Sequence, residues 1–146
     1  MGYKISDLHK YLDMAKVFLK GAHTVEDCAN EFIETQKLLA ELFEMKYKVK
    51  QDLITKNTEF DKSRSESRIT LVKAMEKLAV KPTEKLLESK MILADKFWFD
   101  KKQDIEHDEL ILDIIENLIM LYMQRKSIIQ ELISSWKFKQ FGYHYE

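Results

Sequence analysis

The 146-residue sequence contains few of the residues that cross-link or interrupt a chain, with one cysteine, one proline and three glycines. The single cysteine, Cys28, excludes an internal disulfide and a zinc site built from cysteines, and it favours a reducing compartment. Without a glycine-rich segment, backbone N–H groups cannot surround a phosphate, which excludes ordinary P-loop and dinucleotide sites. The shortage of glycine and proline also removes the usual residues of β-turns. The sequence therefore predicts an all-α protein.

The length and composition of the chain predict one domain without a membrane-spanning segment. A chain of 146 residues matches the usual size of a single domain, and an apolar share of 45% is enough to form a core. The N-terminus lacks the apolar run of a secretory signal. The most apolar stretch contains Asp113, Glu116 and Asn117, which a membrane span would not tolerate. We therefore expect a cytoplasmic protein that forms a single helical domain over residues 1–146.

Capping signals and apolar periodicity predict about five helices, packed as an irregular antiparallel bundle. The first helix should begin at Ser6, a good N-cap, and end before Gly21. Thr24 and Asp27, three residues apart, can satisfy free backbone N–H groups at the start of a second helix. Because apolar residues then recur every three or four positions without glycine or proline, this helix should continue to about residue 56.

The second half of the chain should contain three further helices separated by two breaks. The polar sequence of residues 57–67 predicts a loop, with a Thr-x-x-Asp helix start inside it as an alternative. A third helix over residues 69–79 should stop before Pro82, which lacks an N–H group and also suits the first turn of a fourth helix. This fourth helix should end near Asp100, and the fifth, the most apolar, should extend over residues 104–140.

No combination of residues in the sequence has the spacing of a known catalytic or metal site. A di-iron or di-manganese bundle needs Glu-x-x-His pairs on two helices, and only Asp104 and His107 approach that spacing. His9, His23 and His144 lie near the chain ends or a loop, where we expect them to be solvated. A nucleophile elbow is absent, although a catalytic triad whose members meet only in space stays open. The sequence favours a protein that is not an enzyme and uses no cofactor, with a metal-dependent enzyme at Asp104 and His107 as the alternative.

Charge is distributed unevenly along the sequence, although the net charge is only −1. Residues 37–77 contain ten basic and seven acidic residues, a local balance of +3, whereas residues 100–116 contain two lysines and seven acidic residues, a balance of −5. A near-neutral net charge argues against direct binding of nucleic acid. The acidic segment is typical either of a solvated helix face or of a surface that docks on a basic protein. The candidate partner-binding residues are Asp100, Asp104, Glu106, Asp108, Glu109 and Asp113.

In two segments of the sequence, the residues that start and end helices are arranged as in a known family. Residues 11–21, YLDMAKVFLKG, precede Thr24, Glu26 and Asp27, and residues 97–118 combine aromatic residues, an acidic spacer and the start of a long apolar helix. These segments resemble the immunity proteins of colicin D and pyocin-type bacteriocins and of contact-dependent inhibition systems, although this chain has an additional basic segment in the middle. The resemblance implies a cytoplasmic immunity protein that binds a cognate toxin, a nuclease whose basic active site it covers with acidic side chains.

A helical adaptor or secretion chaperone is the alternative function. Such a protein would bind partner helices through an apolar surface, and methionine suits that role because its side chain adapts to different partners. A large exposed apolar groove or a homodimer in solution would favour the adaptor, whereas an immunity protein should be well folded alone. The C-terminal aromatic residues are expected to pack on the bundle or to anchor a protein interface, with stacking on single-stranded nucleic acid as an alternative. The candidate residues are Met45, Met120 and Met123 for the adaptor surface and Trp136, Phe138, Phe141, Tyr143 and Tyr145 for the C-terminal segment.

Overall fold

The computed structural model of the protein describes residues 2–16, 24–78, 81, 83, 85–87, 90 and 96–142, with side chains in the last range from 98 to 135. Helix α1 is Ile5–Lys16, α2 is Val25–Lys77 and α3 is Lys96–Gly142. Residues 85–87 and 90 are also helical. Since these described residues contain helices and no strand, the predicted all-α class is confirmed.

The described residues pack as two compact units. Unit 1 lies within Met1–Val49 and Ile111–Glu146, and unit 2 lies within Lys50–Leu110, so that α2 and α3 contribute residues to both. Each unit has its own buried apolar side chains. Those of unit 1 include Leu8, Leu42, Ile115, Tyr122 and Ile129, and those of unit 2 include Leu53, Met75, Leu87, Trp98 and Ile105. The expected organisation as a single domain stays a prediction.

A reciprocal pair of side-chain hydrogen bonds fixes the start of α2. Thr24 Oγ1 accepts the N–H of Asp27 at 3.1 Å, and the Asp27 carboxylate accepts the N–H of Thr24 at 3.2 Å. The Thr24 carbonyl then accepts the N–H of Cys28 at 3.1 Å, as the first bond of a helix should. This capping box confirms the helix start predicted from the sequence.

Helix α1 begins earlier than the sequence predicted. The Asp7 carboxylate accepts the N–H of Lys4 at 2.8 Å, and the Lys4 carbonyl accepts the N–H of Asp7 at 3.0 Å. The first helical residue is therefore Ile5 and the N-cap is Lys4, two residues before the N-cap predicted at Ser6. The predicted end at Gly21 lies outside the described residues.

Helix α2 continues through residues 57–67, so the loop predicted there is wrong. These residues are polar but include no glycine or proline, and the Thr58 hydroxyl donates to the Ile54 carbonyl one turn earlier at 2.8 Å. Packing supports the same stretch within unit 2, because the Phe60 ring meets the Trp98 ring edge-on, with 5.1 Å between their centres. Tertiary contact thus outweighs the polar composition.

The break predicted after Asp100 is also absent, because α3 is continuous from Lys96 to Gly142. The described chain has four helical segments, fewer than the five expected, since two predicted boundaries fall inside α2 and α3. Pro82 lies outside the described residues. The Thr83 hydroxyl beside it accepts the N–H of Leu86 at 3.3 Å and caps the short helical segment at 85–87.

In unit 1, α2 and α3 are antiparallel and α1 packs on both. Glu31, near the start of α2, pairs with Arg125, whereas the later Lys46 pairs with the earlier Glu116 at 3.7 Å. Tyr11 of α1 is 3% exposed and contacts side chains of both long helices. A three-helix arrangement therefore encloses the core of this unit.

Two further features of the described helices are the burial of Cys28 and the absence of a long apolar stretch. Cys28 is buried in the core, and burial raises the pKa of its thiol. A thiol in this setting is a small apolar residue and a poor nucleophile. Within the part of the chain that the structure describes, no helix carries an apolar stretch long enough to cross a bilayer.

Candidate functional site

The acidic segment predicted to bind a partner lies on α3, and its carboxylates occupy different environments. Five of the six candidate residues belong to unit 2 and the sixth belongs to unit 1. In unit 2, Asp104 and Asp108 contact a lysine of α2. Apart from Asp104, the exposed candidate carboxylates are Asp100, Glu106 and Glu109 in unit 2 and Asp113 in unit 1.

Asp104 and Asp108 form an ion-pair cluster with Lys56 of α2. The Lys56 ammonium lies 2.6 Å from an Asp108 oxygen and 2.9 Å from an Asp104 oxygen. The Asp108 side chain is 6% exposed, whereas the Asp104 side chain is 48% exposed. Burial alone would lower the pKa of Lys56, but hydrogen bonds and the negative charges of both carboxylates outweigh burial and raise this pKa above its ordinary value. Lys56 is therefore charged at neutral pH, and Asp108 is its buried ion-pair partner.

Helix geometry explains which carboxylates face α2. Asp104 and Asp108 are four residues apart, so they lie on one side of α3 and reach the same ammonium. Trp98 is buried, and Lys101 pairs with Glu59 of α2 at 3.6 Å. Since earlier residues of α3 contact later residues of α2, the two helices are antiparallel in unit 2. Asp108 thus takes a core-facing position in the helical pattern.

The other carboxylates that the acidic segment contributes to unit 2 are exposed, and the three of them, Asp100, Glu106 and Glu109, are called the acidic face. None of the three has an ion-pair partner among the described residues. Glu106 and Glu109 are three residues apart on the solvent side of α3. Phe99 and Leu110, 47% and 49% exposed, flank them along the helix. This surface can contribute both charge and apolar contact area to a protein interface.

The alternative metal site at Asp104 and His107 is not assembled in the described residues. Asp104 is paired with Lys56, a cation that would compete with a bound metal ion. A protein metal site needs several ligands, and no group of three or more His, Cys, Asp or Glu side chains that could hold an ion occurs in the described ranges. His9 is exposed, and the other two histidines, at positions 23 and 144, lie outside those ranges.

Unit 1 contains a buried polar cluster that the sequence did not predict. The Arg125 guanidinium donates to the Glu31 carboxylate and, at 3.3 Å, to the Met14 carbonyl. The Tyr122 hydroxyl donates to the Tyr11 carbonyl. Arg125 is only 6% exposed, and its guanidinium lies 5.6 Å from the centre of the Tyr122 ring. One arginine thus links all three helices of unit 1. A charged residue within the apolar three-and-four repeat of α3 was the available sequence signal.

Tyr11 extends this polar cluster to a second carboxylate of α2. Its hydroxyl donates to the Glu41 carboxylate at 3.0 Å. Burial, the hydrogen bond and the charge of Glu41 raise the pKa of Tyr11 to about 12. Burial also raises the pKa of Tyr122, against the opposing charge of Arg125. Both phenols stay protonated at neutral pH, so the cluster is suited to holding helices together and not to proton transfer.

The methionines assigned to an adaptor surface divide into two groups. Met45 is buried in unit 1, so its assignment to the surface is wrong, because its position on α2 faces the core. Met120 and Met123 of α3 are 61% and 52% exposed. The C-terminal aromatic side chains, from Trp136 onward, lie outside the described side chains.

No family model, no curated protein and no solved structure matches this chain. The resemblance to bacteriocin immunity proteins therefore rests on the two sequence segments alone. The function has to be inferred from the surfaces of the two units.

Proposed function

We propose that the protein is a non-enzymatic, cytoplasmic immunity protein that binds a cognate toxin and covers its basic active site with the acidic face. The observation that supports this proposal is the exposure of Asp100, Glu106 and Glu109 without an ion pair to any described residue. A toxin that cleaves nucleic acid needs a cationic site, because it must bind phosphates. Carboxylates on a helix can occupy such a site in place of the phosphates.

The inward carboxylates contribute to this function through folding. Asp104 and Asp108 neutralise Lys56 and hold α3 against α2 in unit 2, so the acidic face lies on a supported helix. Asp108 is therefore assigned to folding and not to docking. Asp113, which is exposed in unit 1, is a further candidate for contact with the toxin.

Charge and apolar contact have different parts in the proposed docking. Exposed carboxylates speed association with a cationic partner and fix its orientation, but screened surface pairs add little affinity. Affinity depends on anchors that lose water on binding, and aromatic side chains are common among them. Phe99 and Leu110 are the apolar side chains next to the acidic face. We expect them to slow dissociation.

The experiment first searches the reading frames next to this gene for a toxin domain, which is then produced with an inactivated active site. Biolayer interferometry compares wild type with the variant Glu106→Lys/Glu109→Lys. We expect the association rate to fall by about 10- to 100-fold and protection against active toxin to be lost. The matched control, Asp52→Lys/Asp61→Lys, changes the net charge equally at exposed residues of α2 and should keep the association rate within about threefold.

The outcomes test the docking surface and the immunity function separately. Equal association rates for wild type and Glu106→Lys/Glu109→Lys would refute the acidic face as the docking surface. Failure of the wild-type protein to bind the toxin domain would refute the immunity function. Asp108→Asn should destabilise the fold without a selective loss of association rate, because its carboxylate is buried against Lys56.

A further inference from the structure

Unit 1 has an open groove between α2 and α3 that α1 does not cover. Helix α1 packs on one side of this helix pair, where Tyr11 contacts Glu41 and Tyr122. The groove opens on other faces of the same two helices and has a volume of about 830 Å³. Its walls are residues 36–43 of α2 and residues 123–130 of α3. The described part of α1 thus leaves this groove between the two long helices open.

Each wall of the groove is about two turns of an α-helix long. Each wall spans seven residue steps, or about 10.5 Å at the helical rise of about 1.5 Å per residue. An amphipathic helix bound in a groove presents its anchors at i, i+3 or i+4 and i+7, which cover the same distance. Because α2 and α3 are antiparallel in unit 1, a further helix between them would continue the packing of the bundle.

The apolar part of the groove is formed by large side chains that unit 1 leaves exposed. Phe43, Met123 and Ile128 are 47%, 52% and 44% exposed, and the buried Leu39 lies at the base. A flexible methionine and an aromatic ring that line the same groove can adapt to apolar side chains of a ligand. The groove therefore suits the apolar stripe of a helix.

Lys126 gives the groove a charge preference. It is the charged residue among the described residues that line the groove, beside three glutamines and a serine. Its ammonium lies 5.8 Å from the centre of the Phe32 ring, and no carboxylate of the described chain pairs with it. A ligand with a carboxylate at this position would gain an ion pair over a partly apolar surface, where screening by water is reduced.

We propose that this groove binds an amphipathic α-helix of a partner protein, with apolar residues at i, i+3 or i+4 and i+7 and an aspartate or glutamate facing Lys126. The proposal uses residues of unit 1 only. It is independent of toxin binding by the acidic face, and it stands if that function fails.

The probe is a displayed library of helical peptides with randomised exposed positions, selected against the full chain. We expect the enriched peptides to share the apolar stripe and a carboxylate beside it. Phe43→Ser and Met123→Ser should each weaken binding of an enriched peptide about tenfold. Met120→Ser is the matched control, because it removes an exposed methionine of α3 that does not line the groove, and it should change affinity less than about twofold.

A charge exchange tests the contribution of Lys126. Lys126→Glu should weaken the enriched peptide about fivefold, and a peptide with lysine in place of its carboxylate should regain affinity for Lys126→Glu. Failure to enrich such peptides, or equal losses for Met120→Ser and Met123→Ser, would overturn the proposal. A wild-type dimer that Phe43→Ser dissociates in sedimentation equilibrium would overturn it as well, because the occupant would then be a second copy.

Discussion

Replacement of Asp108 by asparagine should destabilise unit 2 more than the same replacement of Asp104. Both carboxylates contact the Lys56 ammonium, at 2.6 and 2.9 Å, but the Asp108 side chain is 6% exposed and the Asp104 side chain 48%. Breaking a fully buried pair costs about 3–5 kcal/mol. Lys56 keeps Asp104 and is itself 21% exposed, so we expect about 2 kcal/mol for Asp108→Asn. Half-exposed Asp104→Asn should cost less than about 1 kcal/mol.

The assay is urea unfolding followed by the fluorescence of Trp98, in a Trp136→Phe background so that one buried indole of unit 2 reports. The double variant Lys56→Met/Asp108→Leu should recover to within about 1 kcal/mol of wild type, because it removes both charges instead of stranding one. An Asp104→Asn variant that loses as much stability as Asp108→Asn would refute the argument, since burial would then not decide the cost.

The same cluster predicts how the stability of unit 2 changes at alkaline pH. The pKa of Lys56 is raised in the folded state above its ordinary value of 10.5. Stability from the charged ammonium is therefore fully present below the unfolded pKa and is lost as the pH rises through the folded value. The difference in stability between wild type and Asp108→Asn should stay constant across neutral pH and shrink above about pH 10.5.

Three further predictions concern unit 1. Thr35→Val should raise the free energy of unfolding by about 1 kcal/mol in urea titrations, because Thr35 is fully buried and its hydroxyl has no partner among the described residues. Tyr122→Phe should lower the free energy of unfolding by about 1 kcal/mol, because the Tyr11 carbonyl loses the donor that α3 supplies; no loss would show that this bond is dispensable. Tyr11 should titrate near pH 12 by ultraviolet absorbance, and Glu41→Gln should lower that pKa. Since folding raises this pKa from 10.0, the stability that it contributes is present below pH 10 and lost towards pH 12.

Local chemistry was enough to predict the helices and some of their ends. The Thr24–Asp27 capping box follows from short-range pattern, because a helix start depends on neighbours within one turn. The short-range sequence pattern does not predict the helix through residues 57–67. Its polar residues favour a loop locally, and the contact of Phe60 with Trp98, far apart in sequence, decides the outcome.

The candidate site was predictable as a charge pattern but not as a geometry. The sequence gives the position of every carboxylate of the acidic segment. Which of them is buried, as Asp108 is, and which is exposed, as Glu106 is, depends on the side of α3 that packs against α2. Lys56 lies 52 residues before Asp108, so no local rule pairs them. The helical phase of Asp108 relative to the buried Trp98 and Ile105 was the available signal, because charges at core-facing positions need partners.

Salt should distinguish the two proposed surfaces. The Debye length shrinks from about 10 Å at 0.1 M to about 3 Å at 1 M, so attraction by the exposed carboxylates Glu106 and Glu109 is screened. Association with a toxin domain should slow at least about tenfold over that range while dissociation changes little. A helical peptide in the groove is held mainly by Phe43 and Met123, and its affinity should change only through the single pair with Lys126. If Glu106→Lys/Glu109→Lys retained the wild-type salt slope for the toxin, steering by the acidic face would have to be abandoned.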